Sequence, residues 1–162
     1  MTISVITDSS SDIPTDLSTD LGILVVPCHV LIGGKDYKDG VDISSSDFYK
    51  RLQNSGTFPT TSQPSIPEFQ VVYEEELNKG NDIISIHVSS KLSGTVNSAT
   101  QAKLALGNPT NIVVIDSNLA SFALGLVTLR AAKLAKQEAD LATIHELVLD
   151  LCNRTHCLVA LD

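Results

Sequence analysis

Tryptophan is absent, and aromatic residues make up only 4% of the 162-residue chain. Positive charge is scarce too: 11 Lys and Arg stand against 19 Asp and Glu, a net charge of −8 at neutral pH. A chain of that sign repels phosphate at long range, which argues against a nucleic-acid groove or an anionic membrane surface. The three cysteines, Cys28, Cys152 and Cys157, are odd in number and not evenly or closely spaced throughout. They do not make the framework of a disulfide-stapled secreted domain. Long apolar runs are missing as well. The longest uncharged, largely apolar stretch, Ser117 to Leu129, has 13 residues, short of the roughly 20 that a spanning helix needs. The first eight residues meet Asp8 without a basic start, so no secretory signal is read there. The expectation is a cytoplasmic protein without a membrane span.

What is present is a core. Hydrophobic residues reach 43%, enough for one domain with a sizeable interior. Apolar runs at residues 2–6, 23–27, 83–88, 111–115 and 157–161 read as strands, and helical spacing lies between them. Pro14 and Gly22 bracket a short helix, and Ser65-Ile66-Pro67-Glu68 is a capping box for a helix over 66–78. Asp140 caps a final helix, and the helix after Leu119 is apolar nearly all round, which predicts a sandwiched position. Gly33-Gly34 between two strand-like runs predicts a hairpin, and residues 54–65 read as a long polar loop. This alternation implies a three-layer α/β/α fold with a mostly parallel sheet. Ligands in such sheets gather at the carboxyl ends of the strands. Three of those ends carry Asp and Ser: Asp8-Ser9, Ser89 to Thr95, and Asp116-Ser117.

The stretch Ser89-Ser90-Lys91-Leu92-Ser93-Gly94-Thr95 stands out, because it places hydroxyls between a buried strand and a helix. The first N–H groups of a helix lack intrahelical acceptors and sit at the positive end of the dipole, which suits a carboxylate. Ser93 as an ordinary helix cap is the plainer alternative. A phosphate loop is excluded, since no Gly-Lys-Ser/Thr follows a paired glycine. A serine hydrolase or acyl transferase with Ser93 as nucleophile would want a Gly-x-Ser-x-Gly elbow and a His partner; His87 and His29 are the candidates, though His87 reads as a half-buried strand residue. Asp8 and Asp116 could be metal ligands or general bases, but aspartates at such positions commonly shape turns. Cys152, His156 and Cys157 with Cys28 and His29 match no zinc spacing, and no metal site is expected.

Five strings, taken together and in order, resemble the DegV family of bacterial fatty-acid-binding proteins: Thr7-Asp8-Ser9-Ser10-Ser11-Asp12-Ile13-Pro14, residues 37–43, Thr61-Ser62-Gln63-Pro64-Ser65, residues 87–95 and residues 116–121. The resemblance implies a lipid carrier rather than an enzyme, with a palmitate-like long-chain fatty acid as ligand and no further cofactor. It implies that Thr61, Ser62 and Ser93, with the Gly94 backbone, hold the carboxylate, with Asp8, Ser9 and Ser117 nearby. It also implies presentation of the bound acid to a fatty acid kinase. Family members usually continue into a second domain that closes the tail pocket. By that comparison residues 1–156 form the headgroup domain and 157–162 begin a crossover strand toward a second domain not found here, so the exposed half-cleft would favour self-association.

Overall fold

A computed structural model describes residues 2–54 and 58–158. Strand β1 (Ile3–Asp8) is followed by a single 3-10 turn (Ser9–Ser11), α1 (Thr15–Leu21) and β2 (Leu24–Val26). A hairpin of β3 (His29–Ile32) and β4 (Lys35–Lys38) comes next, then α2 (Ser45–Asn54), β5 (Thr60–Ser62) and α3 (Ile66–Asn78). The chain continues through β6 (Asp82–His87), α4 (Thr95–Ala105), β7 (Ile112–Asp116), α5 (Ser121–Lys136) and α6 (Leu141–Arg154). The main sheet has the order β2-β1-β6-β7 and is parallel throughout. The three-layer α/β/α expectation holds.

Side-chain alternation along the two central strands fills both faces. Ile3 and Val5 of β1 join Ile84 and Ile86 of β6 and the residue after it, Val88, in a core with Leu124, Val127 and Ala131 of α5 and Ile144 and Val148 of α6. On the opposite face Ile6 and Ile83 pack with Phe69 and Tyr73 of α3 and Ala99 and Ala102 of α4. Pro27 lies just beyond β2, as a residue without an N–H should. The strand is not fully buried, however; Val25 is 38% exposed, because β2 is an edge.

Two other expectations change. Residues 60–62 are not loop: β5 pairs antiparallel with β3, giving a second sheet of order β4-β3-β5. Its Thr-Thr-Ser sequence is exposed and has no apolar alternation to announce a strand. The hairpin within this sheet forms as read, with Gly33 and Gly34 both at positive φ (57° and 77°), the geometry of a two-residue turn that glycine adopts without strain. Helix α5 is covered on one side only, since Phe122 and Leu126 are 41% and 54% exposed. The strand expected at 157–161 falls mostly outside the described residues; Cys157 and Leu158 have no regular structure.

One close approach fixes α5 against the start of the chain. A Cβ on Gly125 would come 2.4 Å from the carbonyl oxygen of Ser11, a backbone atom with no freedom to withdraw. Gly125→Ala is therefore expected to destabilise the protein by about 1–3 kcal/mol, measured by urea denaturation. Unchanged stability would show that the 3-10 turn is not held where the structure puts it.

Candidate functional site

The carboxyl ends of β1 and β6, the turn before α4 and the edge of the small sheet enclose a cleft of about 380 Å³, toward the lower end of the roughly 300–1,000 Å³ usual for ligand sites. Its lining is Ser9, Ser10, Cys28, Val30, Asp39, Thr61, Gln63, Val88, Leu92, Ser93 and Gly94. Of the residues singled out from the sequence, Ser9, Thr61, Ser93 and Gly94 meet here. Ser62 does not: Thr61 pairs with Val30 and Ser62 with His29, and neighbours on a strand point to opposite faces. Asp8 and Ser117 are fully buried beneath the surface and not part of the lining.

Each of those buried groups has a structural task. Ser117 Oγ accepts the Leu119 N–H at 3.1 Å. Asp116 accepts the N–H groups of Ser90 and Asn118, both at 3.1 Å, so it ties the turn after β7 to the hydroxyl turn after β6. Asp8 accepts His87 Nδ1 at 3.0 Å, the Val88 N–H at 3.1 Å, the Ser10 N–H at 3.1 Å and the Ser10 hydroxyl. Burial pushes its carboxyl up, but the bonds from His87, Ser10 and Val88 outweigh burial and leave it below the usual carboxylate range.

Sequence reasoning placed His87 as half-buried; its ring is wholly enclosed, with Asp8 on Nδ1 and Ser85 Oγ 2.6 Å from Nε2. His29, the other candidate base, is bonded to Asp36 on Nδ1 and Glu68 on Nε2. Neither ring has a free nitrogen to activate Ser93. Cys28 is no nucleophile either, because burial and the charge of Asp8 push its thiol up to about 11. No group of three or more His, Cys, Asp and Glu is placed to hold a metal among the described residues.

Ser93 lies one residue before the N-cap of α4, where its Oγ accepts the Thr95 N–H at 3.3 Å and sits 2.9 Å from Thr95 Oγ1. It is therefore both a cap and a cleft residue. Gln63, Ser10, Cys28, Asp39 and Leu92 also line the cleft and were not picked out as site residues from the sequence. Gln63 was within reach, since it follows Thr61-Ser62 directly. Its amide presses on the turn: a Cβ on Gly94 would come 2.8 Å from Gln63 Nε2.

The small sheet is bolted to the main domain by Glu68 on the first turn of α3. Its carboxylate accepts the Ser65 N–H at 2.9 Å and holds His29 of β3 at 3.0 Å and Lys38 of β4 at 3.0 Å. Burial acts to raise Glu68, and the bonds from Ser65, His29 and Lys38 overcome it and bring the group down to about 2. His29 is raised, first by its hydrogen bond to Glu68.

The family model described as "Uncharacterised protein, DegV family" matches residues 2–162. A DegV domain-containing protein of Caldanaerobacter subterraneus is 41% identical over 160 residues, covering 99% of this chain and 56% of its own length. A structure described as fatty acid binding of a DegV family protein from Thermus thermophilus superposes with a TM-score of 0.85 at 38% identity, over 94% of this chain and 54% of that one. DegV of Bacillus subtilis, described as a fatty acid binding protein, gives a TM-score of 0.86 at 33% identity, again over 94% and 54%. The chain thus spans about half the length of the relatives it matches. Among the described residues no helix is long and apolar enough to cross a membrane.

Two outcomes are expected. Glu68→Gln should cost about 1–3 kcal/mol near pH 6 by denaturant unfolding. The lowered Glu68 stabilises above the ordinary Glu range and loses its effect as pH falls through about 2, whereas the raised His29 stabilises below the ordinary His value and loses its effect as pH rises through its folded value. The deficit of the variant should therefore be largest between roughly pH 4.5 and 6.5. Gly94→Ala should change stability by less than about 1 kcal/mol, because the displaced neighbour is the end of a flexible side chain, and a crystal structure of the variant should show Gln63 swung out of the cleft.

Proposed function

The chain belongs to the DegV family, and from that premise we propose that its cleft seats the carboxylate of a long-chain, palmitate-like fatty acid, with the protein acting as a non-catalytic lipid carrier. The observation that carries this reading is the meeting of Thr61, from the antiparallel sheet, with Ser93 and Gly94, from the parallel one, in a single cleft. Hydroxyl and amide groups there stand beside Val30, Val88 and Leu92, so a polar head and the start of an apolar chain find matching walls. Among the described residues no Lys or Arg lines the cleft, and Asp39 does. A phosphorylated ligand would be poorly neutralised, whereas a single carboxylate asks for less.

Hydrogen bonds to a charged group contribute roughly 1.5–3 kcal/mol each, and each buried methylene about 0.8 kcal/mol. The tail therefore supplies most of the affinity, and the head fixes orientation. Leu92 is 70% exposed at this cleft, which suits a wall that a further part of the protein covers. In this reading the carrier offers the bound acid to a kinase acting on the carboxylate. Acyl transfer by Ser93 is the competing reading, and the engaged nitrogens of His87 and His29 weigh against it.

In the full-length protein Ser93→Ala should weaken hexadecanoate binding about tenfold by calorimetry, in line with one lost bond to a charged group. Native mass spectrometry of purified protein should release free, unmodified lipid. Unchanged affinity, or an acyl adduct on Ser93 after incubation with an activated ester, would overturn the assignment.

A further inference from the structure

Beneath the cleft runs a chain of buried polar groups that the proposed binding role does not use. The Tyr73 hydroxyl donates to Ser85 Oγ at 2.8 Å, Ser85 Oγ lies 2.6 Å from His87 Nε2, and His87 Nδ1 lies 3.0 Å from Asp8. All four side chains are fully buried. The carboxylate at one end sets the direction. An ionised Asp8 can only accept, so the ring carries a proton on Nδ1, pointing at the carboxylate, and in the neutral ring Nε2 then accepts the Ser85 proton. Phe69 stacks edge-on against the ring, 5.0 Å between centroids, and keeps it in place.

At its far end the chain reaches the cleft. Ser10 lines it, and the Ser10 hydroxyl spends its single proton on Asp8. Ser9 lines it as well: its Oγ accepts the Cys28 N–H at 3.0 Å, and its hydroxyl is hydrogen-bonded to the Cys28 thiol. Both hydroxyls on the floor of the cleft are thus engaged, Ser10 with Asp8 and Ser9 with Cys28.

Resting on the fatty-acid reading above, we propose that Asp8 with His87 is the positioning pair of the headgroup site, and that Ser10 is a donor shared between Asp8 and the ligand. When a carboxylate arrives, Ser10 turns its proton from Asp8 to the headgroup. Asp8 keeps three donors instead of four, and the His87 Nδ1–H bond tightens to compensate. No bond other than hydrogen bonds is made or broken, and no net charge enters the buried chain.

The His87 ring N–H gives a signal that a purely structural role would leave alone. In full-length protein with 15N-labelled histidine, NMR should show His87 protonated on Nδ1, and saturation with hexadecanoate should move that proton downfield. Methyl hexadecanoate, which brings no charged head, should leave it in place. Ser10→Ala should show the downfield position before ligand is added, no further movement on addition, and an affinity lowered by about tenfold. A proton on Nε2, or an unmoved Nδ1–H signal while calorimetry records hexadecanoate binding, would overturn the proposal and leave the carrier reading intact. Failure of the wild-type protein to bind hexadecanoate would overturn both.

Discussion

A carboxylate buried without exposure at the end of a central strand sets the terms for this molecule. Removing Asp8 from water is costly unless its charge is met. The chain meets it with a ring N–H, two backbone N–H groups and a hydroxyl. Those donors come from the segment after β1 and from the end of β6, so satisfying one charge fixes both strand exits at once. The turn that follows β6 is secured from the other side by Asp116. Two aspartates leaving adjacent parts of a parallel sheet thereby shape the loops around the cleft without belonging to its lining.

The cleft needs a second wall, and that wall is a separate sheet. The antiparallel β4-β3-β5 unit has a small core of Val30, Ile32 and Ile43, too little to position itself. Glu68 supplies the link, since one carboxylate caps α3 and reaches both His29 and Lys38. Thr61 is then placed by its pairing with Val30. The position of a cleft hydroxyl thus depends on ion pairs that hold the two other strands of its sheet, β3 and β4.

Much of this was legible in the sequence because its signals are local. Apolar runs of five or six residues, a Ser-Ile-Pro-Glu box, Asp140 and the paired glycines gave the strands, caps and hairpin nearly as they stand. The meeting of Thr61 with Ser93 was expected from the resemblance, and both line one cleft. What stayed hidden was non-local. β5 is three exposed polar residues whose only claim to be a strand is the partner beside it. The direction of Ser62 follows from a register that no single stretch encodes. His87 has an ordinary strand setting in sequence, and its enclosure depends on Phe69 and Tyr73 arriving from α3.

The fold carries a second buried carboxylate, and the comparison separates support from function. Glu76 lies at the amino-terminal ends of the strands, where Ser4, Asn81 and Lys79 satisfy it. As with Asp8, burial pushes the carboxyl up and the hydrogen-bond partners bring it below its ordinary range. The two sites therefore solve the same physical problem with the same means. Their partners differ in one respect. None of the Glu76 donors lines the cleft, whereas Ser10, bonded to Asp8, lines it and Val88 does too. A buried charge at either end stabilises the sheet, but only at the carboxyl end are its donors also the surface on which a ligand lands. Parallel sheets turn their loops toward that end, and here the same loops that satisfy the buried carboxylate make the floor of the site.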